Sequence, residues 1–362
     1  MDGLKDGPGL IGVPGVAAMP SPLGSSGAPE PLAPAAGVPE ADAVRLFGAA
    51  YRMLGSASRA REVVRDALAA RTGAPGGSGP AGSYHRDAYD ELVRDLFGAL
   101  LRGAERGRAR RDGHAHTAAW LAEPVLTAGG ALGPMDTAAR RASVSMARLV
   151  LLERLAPGER AAYVLREVFG YGPEAAAAVL GVSEERSAAL ERRARQRVLD
   201  AEGAASPLSV PPSSSRGQAV RVSAVAELLR AIRDDDPAGL EELLADDVVA
   251  WSDGGGQPGV VRRPVLGTVK VGRFLATVRG RIPADARGHL AEVNGDPALV
   301  AVVGSAVVGV LAPEFGPQGM IGIRAVADPA RLEFIGRQWA DLAGRPALPD
   351  GSDGLRDPGH PV

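Results

Sequence analysis

The sequence contains no cysteine, so disulfide bridges and thiolate-bound metals or clusters are excluded. Histidine is scarce as well: five residues are scattered over 362 positions, which leaves little material for a histidine-rich metal site. No apolar run approaches the ~20 residues that span a bilayer, and the acidic Asp2 with the prolines and glycines behind it makes a poor signal peptide. These absences predict a cytoplasmic protein without metal, cofactor or membrane partner.

A strong net charge of either sign is also lacking, because 41 basic residues are nearly balanced by 43 acidic ones. The charges are nevertheless segregated along the chain. Basic residues cluster at Arg102–Arg111 and Arg186–Arg197, whereas acidic residues gather at Asp234–Asp247. Segregation of this kind can place a local cationic patch on a near-neutral protein, so an anionic partner is compatible with the overall balance.

Segments rich in proline, glycine and serine divide the chain, whose length suits two or three domains. The pattern predicts, in chain order, a disordered leader (1–38), a helical domain (39–118), a linker (119–136), a second helical domain (137–202), a second linker (203–217), an α+β domain (218–340) and a disordered tail (341–362).

The last third of the chain differs in kind from the first two. One or two helices lead into short β-rich runs, one of which covers Leu299–Leu311. Helices followed by a series of strands indicate an α+β domain.

The most informative stretch is Leu152–Val198, in which two apolar-periodic segments flank a short turn. Pro157 suits the first turn of a helix, Gly181 suits a turn with positive φ, and Ser183 suits the N-cap of the last helix. The last segment becomes strongly basic. This layout is typical of a helix-turn-helix, in which one helix braces and the next lies in a DNA groove.

The basic residues of the last helix are the candidate DNA contacts. Arginine binds phosphates and can reach guanine edges in the major groove. A solvated basic helix without a ligand is the alternative interpretation of the same charges. The residues predicted to contact DNA are Arg186, Ser187, Arg192, Arg193, Arg195 and Arg197.

The strings LERLAPGERAAYVLREVFGY and VLGVSEERSAALERRARQRV resemble region 4 of bacterial sigma factors of the extracytoplasmic-function group. Upstream, RLFGAAYRMLGSASRAREVVRDAL is similar to region 2 of the same group, and WLAEPVL to the linker between the two regions. Downstream, LADDVVAWSDGGGQ, RRPVLGTVKVGRFL and VNGDPALV resemble a subgroup with a SnoaL-like C-terminal extension. The resemblance spans roughly residues 41–340.

The resemblance implies a multidomain fold: a region 2 helical bundle and a region 4 helix-turn-helix, both all-α, followed by a cone-shaped α+β SnoaL-like domain. It implies promoter DNA and core RNA polymerase as partners, with region 2 on the β' clamp and region 4 on the β flap. It also implies that the extension contacts the sigma core and modulates it. The residues implied for the −10 side are Arg102, Arg106, Arg108, Arg110 and Arg111, and those for the regulatory motif are Asp253, Gly254, Gly255 and Gly256.

The chain departs from the family pattern at several positions. The bracing helix of region 4 has Ala176 where the family buries a large aliphatic residue, and Ala188 and Ala189 occupy positions often held by polar or basic residues. Gln257 replaces the usual basic residue after the DGGG motif.

The expected function is that of a non-enzymatic sigma factor that directs promoter-specific transcription and is modulated by its own C-terminal domain. A degenerate sigma paralogue and a small-molecule-sensing transcription regulator are the alternatives. A SnoaL-type cyclase or isomerase is a further alternative, for which Asp247, Asp253 and His289 are the candidate bases, because a carboxylate or histidine in an apolar cavity can act as one.

Overall fold

The computed structural model describes residues 40–72, 86–112, 121–127, 145–204, 215–253, 263–316 and 319–343. The leader expected at 1–38 and residues 344–362 of the expected tail lie outside the described residues. So do most of the two linkers.

The part that resembles region 2, called region 2 below, comprises helices α1 (Glu40–Leu54), α2 (Ala57–Thr72) and α3 (Arg86–Asp112). Gly55 adopts a φ of 62°, which ends α1 and lets α2 fold back against it. The inner faces of the three helices share one apolar cluster. Its largest fully buried members include Leu46, Tyr51, Met53, Leu92, Leu96 and Phe97.

The part that resembles region 4, called region 4 below, comprises helices α4 (Met146–Arg154), α5 (Pro157–Phe169), α6 (Pro173–Leu180) and α7 (Glu184–Ala204). Gly170 and Gly181 end α5 and α6 in the left-handed conformation, with φ values of 70° and 65°. The hydroxyl of Ser183 accepts a hydrogen bond from the Arg186 amide at 3.3 Å, as expected for the N-cap of α7. Local sequence thus determines where each helix of the helix-turn-helix begins and ends.

The C-terminal part contains a six-stranded sheet and four helices. The sheet order is β2-β1-β6-β5-β4-β3; β1 and β6 are parallel, and the other neighbours are antiparallel. The elements, in chain order, are α8 (Ser215–Asp234), α9 (Pro237–Leu243), β1 (Leu244–Asp253), β2 (Val265–Leu266), α10 (Thr268–Arg279), β3 (Arg287–Val293), β4 (Asp296–Val303), β5 (Ala306–Gly316), β6 (Gly319–Val326) and α11 (Pro329–Ala343).

The expected β-rich run at Leu299–Leu311 covers the end of β4 and the first part of β5. Gly304 has a φ of 58° and turns the chain between β4 and β5, which pair antiparallel. The apolar residues on both sides of Gly304 hid the turn in the sequence. Helix α11, which follows the sheet, is an additional element that the sequence pattern did not predict.

The two faces of the sheet belong to two different cores. Leu299, Leu311 and Ile323 point to one face, where they pack with residues of α8 and α10. Val300 and Val310 point to the opposite face and belong to the same apolar cluster as the region 2 helices and α11. The two helical parts and the C-terminal part therefore share one continuous core. None of the described helices is long and apolar enough to cross a membrane.

Candidate nucleic-acid interface and its attached linker

Helix α7 has a buried face and an exposed face. Ser187, Ala194 and Val198 are buried against the other helices of region 4. Arg192 and Gln196 are exposed on the opposite side of the helix. Because a recognition helix contacts DNA with its exposed face, this orientation selects which of the predicted residues are accessible to a duplex.

Two of the predicted arginines are held by a carboxylate of the protein itself. Glu159, in the first turn of α5, binds Arg193 Nε at 3.2 Å and also forms an ion pair with Arg197. Its second oxygen accepts a hydrogen bond from the Ala156 amide at 3.2 Å. The side chain of Glu159 is only 6% exposed, so the two arginines are directed toward the N-terminus of α5.

The remaining predicted contacts lie in different surroundings. Arg186 and Arg192 are exposed and form no ion pair with any described residue, whereas Arg195 binds Glu191 at 2.5 Å. Ser187 is 1% exposed, so its side chain does not lie on the accessible face. The DNA-binding set stays a prediction, with Arg186 and Arg192 the members most open to a ligand.

The residues predicted to face the −10 element are described only in part. Arg102 lies on α3 and is exposed. The side chains of Arg106, Arg108, Arg110 and Arg111, like Gly254, Gly255 and Gly256, lie outside the described residues. In the segments that are described, no group of three or more histidines and carboxylates could hold a metal ion.

Regions 2 and 4 are packed against each other through a buried arginine. Arg160 of α5 is 4% exposed; its Nη1 donates to the Met53 carbonyl of α1 at 2.6 Å and to Glu153 at 2.7 Å. A second contact joins the Tyr171 hydroxyl to Asp90 of α3. The neighbouring Arg52 is also buried, and burial lowers the pKa of its guanidinium to about 10. The interface between the regions is thus polar as well as apolar.

The linker residues 121–127 are attached to region 2 by Glu123. Its carboxylate accepts hydrogen bonds from the Ser56 hydroxyl at 2.6 Å and the Ser58 amide at 2.9 Å, at the start of α2. The Glu123 amide donates to the Gly55 carbonyl at 2.9 Å, and the Tyr51 hydroxyl donates to the Glu123 carbonyl. A carboxylate at a helix N-terminus is favourably placed, so this attachment also caps α2.

Asn294 attaches the same linker to the C-terminal domain. Its backbone N–H donates to the Val125 carbonyl at 2.9 Å, and its side-chain oxygen accepts from the backbone N–H of Val125 at 3.1 Å. Its side-chain nitrogen donates to the Tyr51 hydroxyl at 2.8 Å. Asn294 is fully buried, with a φ of 54°, in the turn between β3 and β4. Burial raises the pKa of the Tyr51 hydroxyl above its ordinary range, so Tyr51 remains a neutral donor.

The rest of the linker runs along the edge strand β3. Leu126 exchanges two hydrogen bonds with the side chain of Gln338, at 2.9 and 3.3 Å. The Thr127 amide donates to the Glu292 carbonyl at 3.0 Å, and Leu126 forms an antiparallel bridge with Val293. The linker therefore pairs with the sheet edge as a short added strand.

Asp253, the first residue of the DGGG motif, is also connected to the linker, through Arg331. The Asp253 carboxylate binds Arg331 Nε at 2.5 Å, and Arg331 Nη1 donates to the Leu121 carbonyl at 2.6 Å. Asp247, by contrast, is exposed, and the ring of His289 lies 5.0 Å from that of Trp339. Of the three candidate bases, Asp253 is thus in an ion pair, Asp247 lies at the surface and His289 contacts an aromatic ring.

Three residues that join the segments of the protein were not predicted from the sequence: Arg160, Asn294 and Arg331. The Asn-Gly pair at 294–295 signals a tight turn. Nothing in the sequence indicates that the asparagine side chain also binds the Val125 amide of the linker, which lies 169 positions earlier in the chain. Arg160 and Arg331 look like ordinary surface arginines of amphipathic helices.

Comparison with known proteins agrees with this architecture. Residues 148–198 match the family model of sigma-70, region 4. The ECF RNA polymerase sigma factor SigJ of Mycobacterium tuberculosis (strain ATCC 25618 / H37Rv) is 29% identical over 271 residues, which cover 72% of this chain and 79% of that protein. The probable ECF RNA polymerase sigma factor SigI of M. tuberculosis (strain CDC 1551 / Oshkosh) is 28% identical over 298 residues, covering 80% and 91%.

Similarity of fold extends over the same range. The crystal structure of M. tuberculosis SigJ superposes with a TM-score of 0.58 at 24% identity, covering 82% of this chain and 97% of that one. The sequence matches confirm the resemblance to extracytoplasmic-function sigma factors and the expected function, that of a sigma factor. The shared fold confirms the multidomain fold class.

Proposed function

We propose that this chain binds core RNA polymerase and promoter DNA as a sigma factor, and that its C-terminal domain modulates it by holding the linker between regions 2 and 4. Region 2 binds the β' clamp, region 4 binds the β flap, and α7 contacts the −35 duplex. The observation that carries the proposal is the linker at 121–127, which is bonded to region 2 through Glu123 and to the C-terminal domain through Asn294.

The physical basis of the modulation is competition between two arrangements. The −10 and −35 elements are separate on promoter DNA, so regions 2 and 4 must part to engage both. In the closed arrangement Arg160 joins the two regions, and Asn294 and Arg331 restrain the linker between them. Polymerase and promoter shift the equilibrium only by binding the open arrangement more tightly than the closed one.

We infer that the C-terminal domain has no catalytic role. Asp253 is engaged by Arg331, which in turn binds the linker, so this carboxylate has a structural partner. Asp247 is exposed to solvent and is not enclosed by apolar side chains. The cyclase alternative therefore finds no supporting arrangement among the three candidate bases.

Run-off transcription with purified core polymerase tests the proposal. Removal of the whole C-terminal domain would expose the sheet face that shares a core with region 2, so a point variant is preferable. We expect Arg331→Met, which loses the bond to Leu121, to give several-fold more transcript than the unmodified chain. The control is Arg337→Met on the same helix, whose side chain is 51% exposed.

The outcomes separate the alternatives. Equal transcript from Arg331→Met and the unmodified chain would contradict modulation through the linker. No promoter-dependent transcript from any version would favour the degenerate paralogue.

DNA binding by α7 is tested by Arg192→Ala. Arg192 is exposed and unpaired among the described residues, so its loss should weaken promoter binding and reduce the slope of log K against log salt by ~1. Arg193→Ala should have a smaller effect, because Glu159 already holds that side chain. Fluorescence anisotropy of labelled −35 promoter DNA at several salt concentrations measures the affinity of both variants. Unchanged binding by the Arg192 variant would contradict the assignment of this helix.

A further inference from the structure

Arg193 and Arg197 lie one turn apart on the side of α7 that faces the start of α5. Their side chains are 55% and 56% exposed, so each guanidinium is accessible to an anion from solvent. Both nevertheless form ion pairs with the same carboxylate, that of Glu159. Two arginines that would otherwise add two positive charges to this side of the helix therefore share one compensating negative charge.

The Glu159 carboxylate is held in place by the start of α5. Glu159 is the third residue of that helix, and one of its oxygens accepts a hydrogen bond from the Ala156 amide at 3.2 Å. Its side chain is only 6% exposed, so salt screens its charge less than that of a surface carboxylate. The carboxylate therefore stays beside the two arginines instead of turning to solvent.

The ion pairs use only part of each guanidinium. Arg193 binds Glu159 through Nε at 3.2 Å, and Arg197 binds it through Nη1. A guanidinium carries five N–H donors, so each arginine keeps donors that can reach a phosphate oxygen. A phosphate that approaches this site is attracted by two cations and repelled by one nearby carboxylate. The repulsion opposes part of the attraction, and its size depends on distance and solvent exposure.

We propose that Glu159 competes with DNA phosphates for Arg193 and Arg197 and thereby weakens the binding of region 4 to DNA of any sequence. This inference rests on the proposed function, because it takes DNA as the ligand of α7. Phosphate contacts carry no sequence information, so Glu159 lowers the affinity for promoter and random duplexes by the same factor. The carboxylate thus limits how long the chain stays on random DNA, and it leaves base recognition by residues such as Arg192 unaltered.

Glu159→Gln tests the competition, because it removes the charge and keeps an oxygen for the Ala156 amide. Glutamine serves as well as glutamate at this position of a capping box. The full chain is titrated at several salt concentrations with a fluorescent duplex of random sequence and with labelled −35 promoter DNA. We expect the variant to bind both duplexes about threefold to tenfold more tightly than the unmodified chain. The slope of log K against log salt should steepen by up to ~1.

Glu241→Gln is the matched control. Glu241 is exposed on α9 of the C-terminal domain, so its replacement removes the same charge from the chain without touching region 4. Binding of both duplexes should be unchanged. Glu159→Met is a second uncharged variant, which should give the same gain as Glu159→Gln because the gain depends on the charge and not on the hydrogen bond.

The gain must also depend on the two arginines. In a chain that carries Arg193→Gln and Arg197→Gln, the further change Glu159→Gln should alter the affinity by less than about twofold. A gain that persists in that chain, or one limited to a single duplex, overturns the inference. Unchanged or weaker binding by both uncharged Glu159 variants, folded by circular dichroism, also overturns it, because Glu159 would then position the arginines for DNA.

Run-off transcription with core polymerase is measured on the same samples. Promoter-dependent transcript without the gain in DNA binding contradicts the competition alone. The gain in DNA binding without any promoter-dependent transcript contradicts the proposed function alone.

Discussion

Replacement of Asn294 by glycine is expected to lower the free energy of unfolding by about 2–4 kcal/mol, because the Val125 amide and the Tyr51 hydroxyl each lose a buried hydrogen-bond partner. Glycine keeps the positive φ of 54° accessible, so the turn between β3 and β4 is retained and the loss reports on the side chain. Urea unfolding followed by circular dichroism measures the change.

Asp235→Gly is the matched control for the backbone. Asp235 also has a positive φ, of 56°, but its side chain is exposed and makes only a 3.5 Å contact with Arg279. We expect a change within about 1 kcal/mol for this variant. Equal effects of the two substitutions would show that the Asn294 side chain contributes nothing beyond the turn.

The Asn294 variant should also loosen the linker. Limited proteolysis is expected to cleave near residues 121–127 several-fold faster than in the unmodified chain, because the Val125 amide loses its bond to the Asn294 side chain, although the bonds to Gln338 and Arg331 remain. Transcription should increase in parallel. Faster cleavage without increased transcription would show that attachment of the linker does not modulate transcription.

Replacement of Arg160 by methionine is expected to cost about 3–5 kcal/mol, as is typical when one partner of a buried ion pair is removed. The variant leaves the Glu153 carboxylate and the Met53 carbonyl without their donor at the interface between regions 2 and 4. Methionine retains much of the apolar stem, so the loss is chiefly polar. Urea unfolding again measures the stability.

Arg197→Met is the control for Arg160→Met. Arg197 forms an ion pair with Glu159, but its side chain is 56% exposed, so we expect a cost of at most about 1 kcal/mol. The absence of native cysteine allows dye pairs at cysteines introduced for the exposed Arg59 and Gln196. Energy transfer between them should fall in Arg160→Met, because the regions separate; unchanged transfer would show that other contacts hold them together.

The sequence by itself determined the local structure of this protein. Gly55, Gly170 and Gly181 mark helix ends through their positive φ, and Pro157 and Ser183 mark helix starts, because these preferences depend on the residue's own backbone or its nearest neighbours. The order of the strings that resemble regions 2 and 4 and the extension was equally accessible, since it needs no knowledge of contacts.

Only the tertiary structure decided which polar residues are exposed and which partners they bind. Ser187 faces the interior, Arg193 and Arg197 are held by Glu159, and the linker is bound on both sides instead of spacing two domains. These outcomes depend on partners such as Asn294, whose bond to Tyr51 joins positions separated by 243 residues. Residue type and spacing carry no information about pairings at that separation, because they are set by how the domains pack and not by local conformational preference.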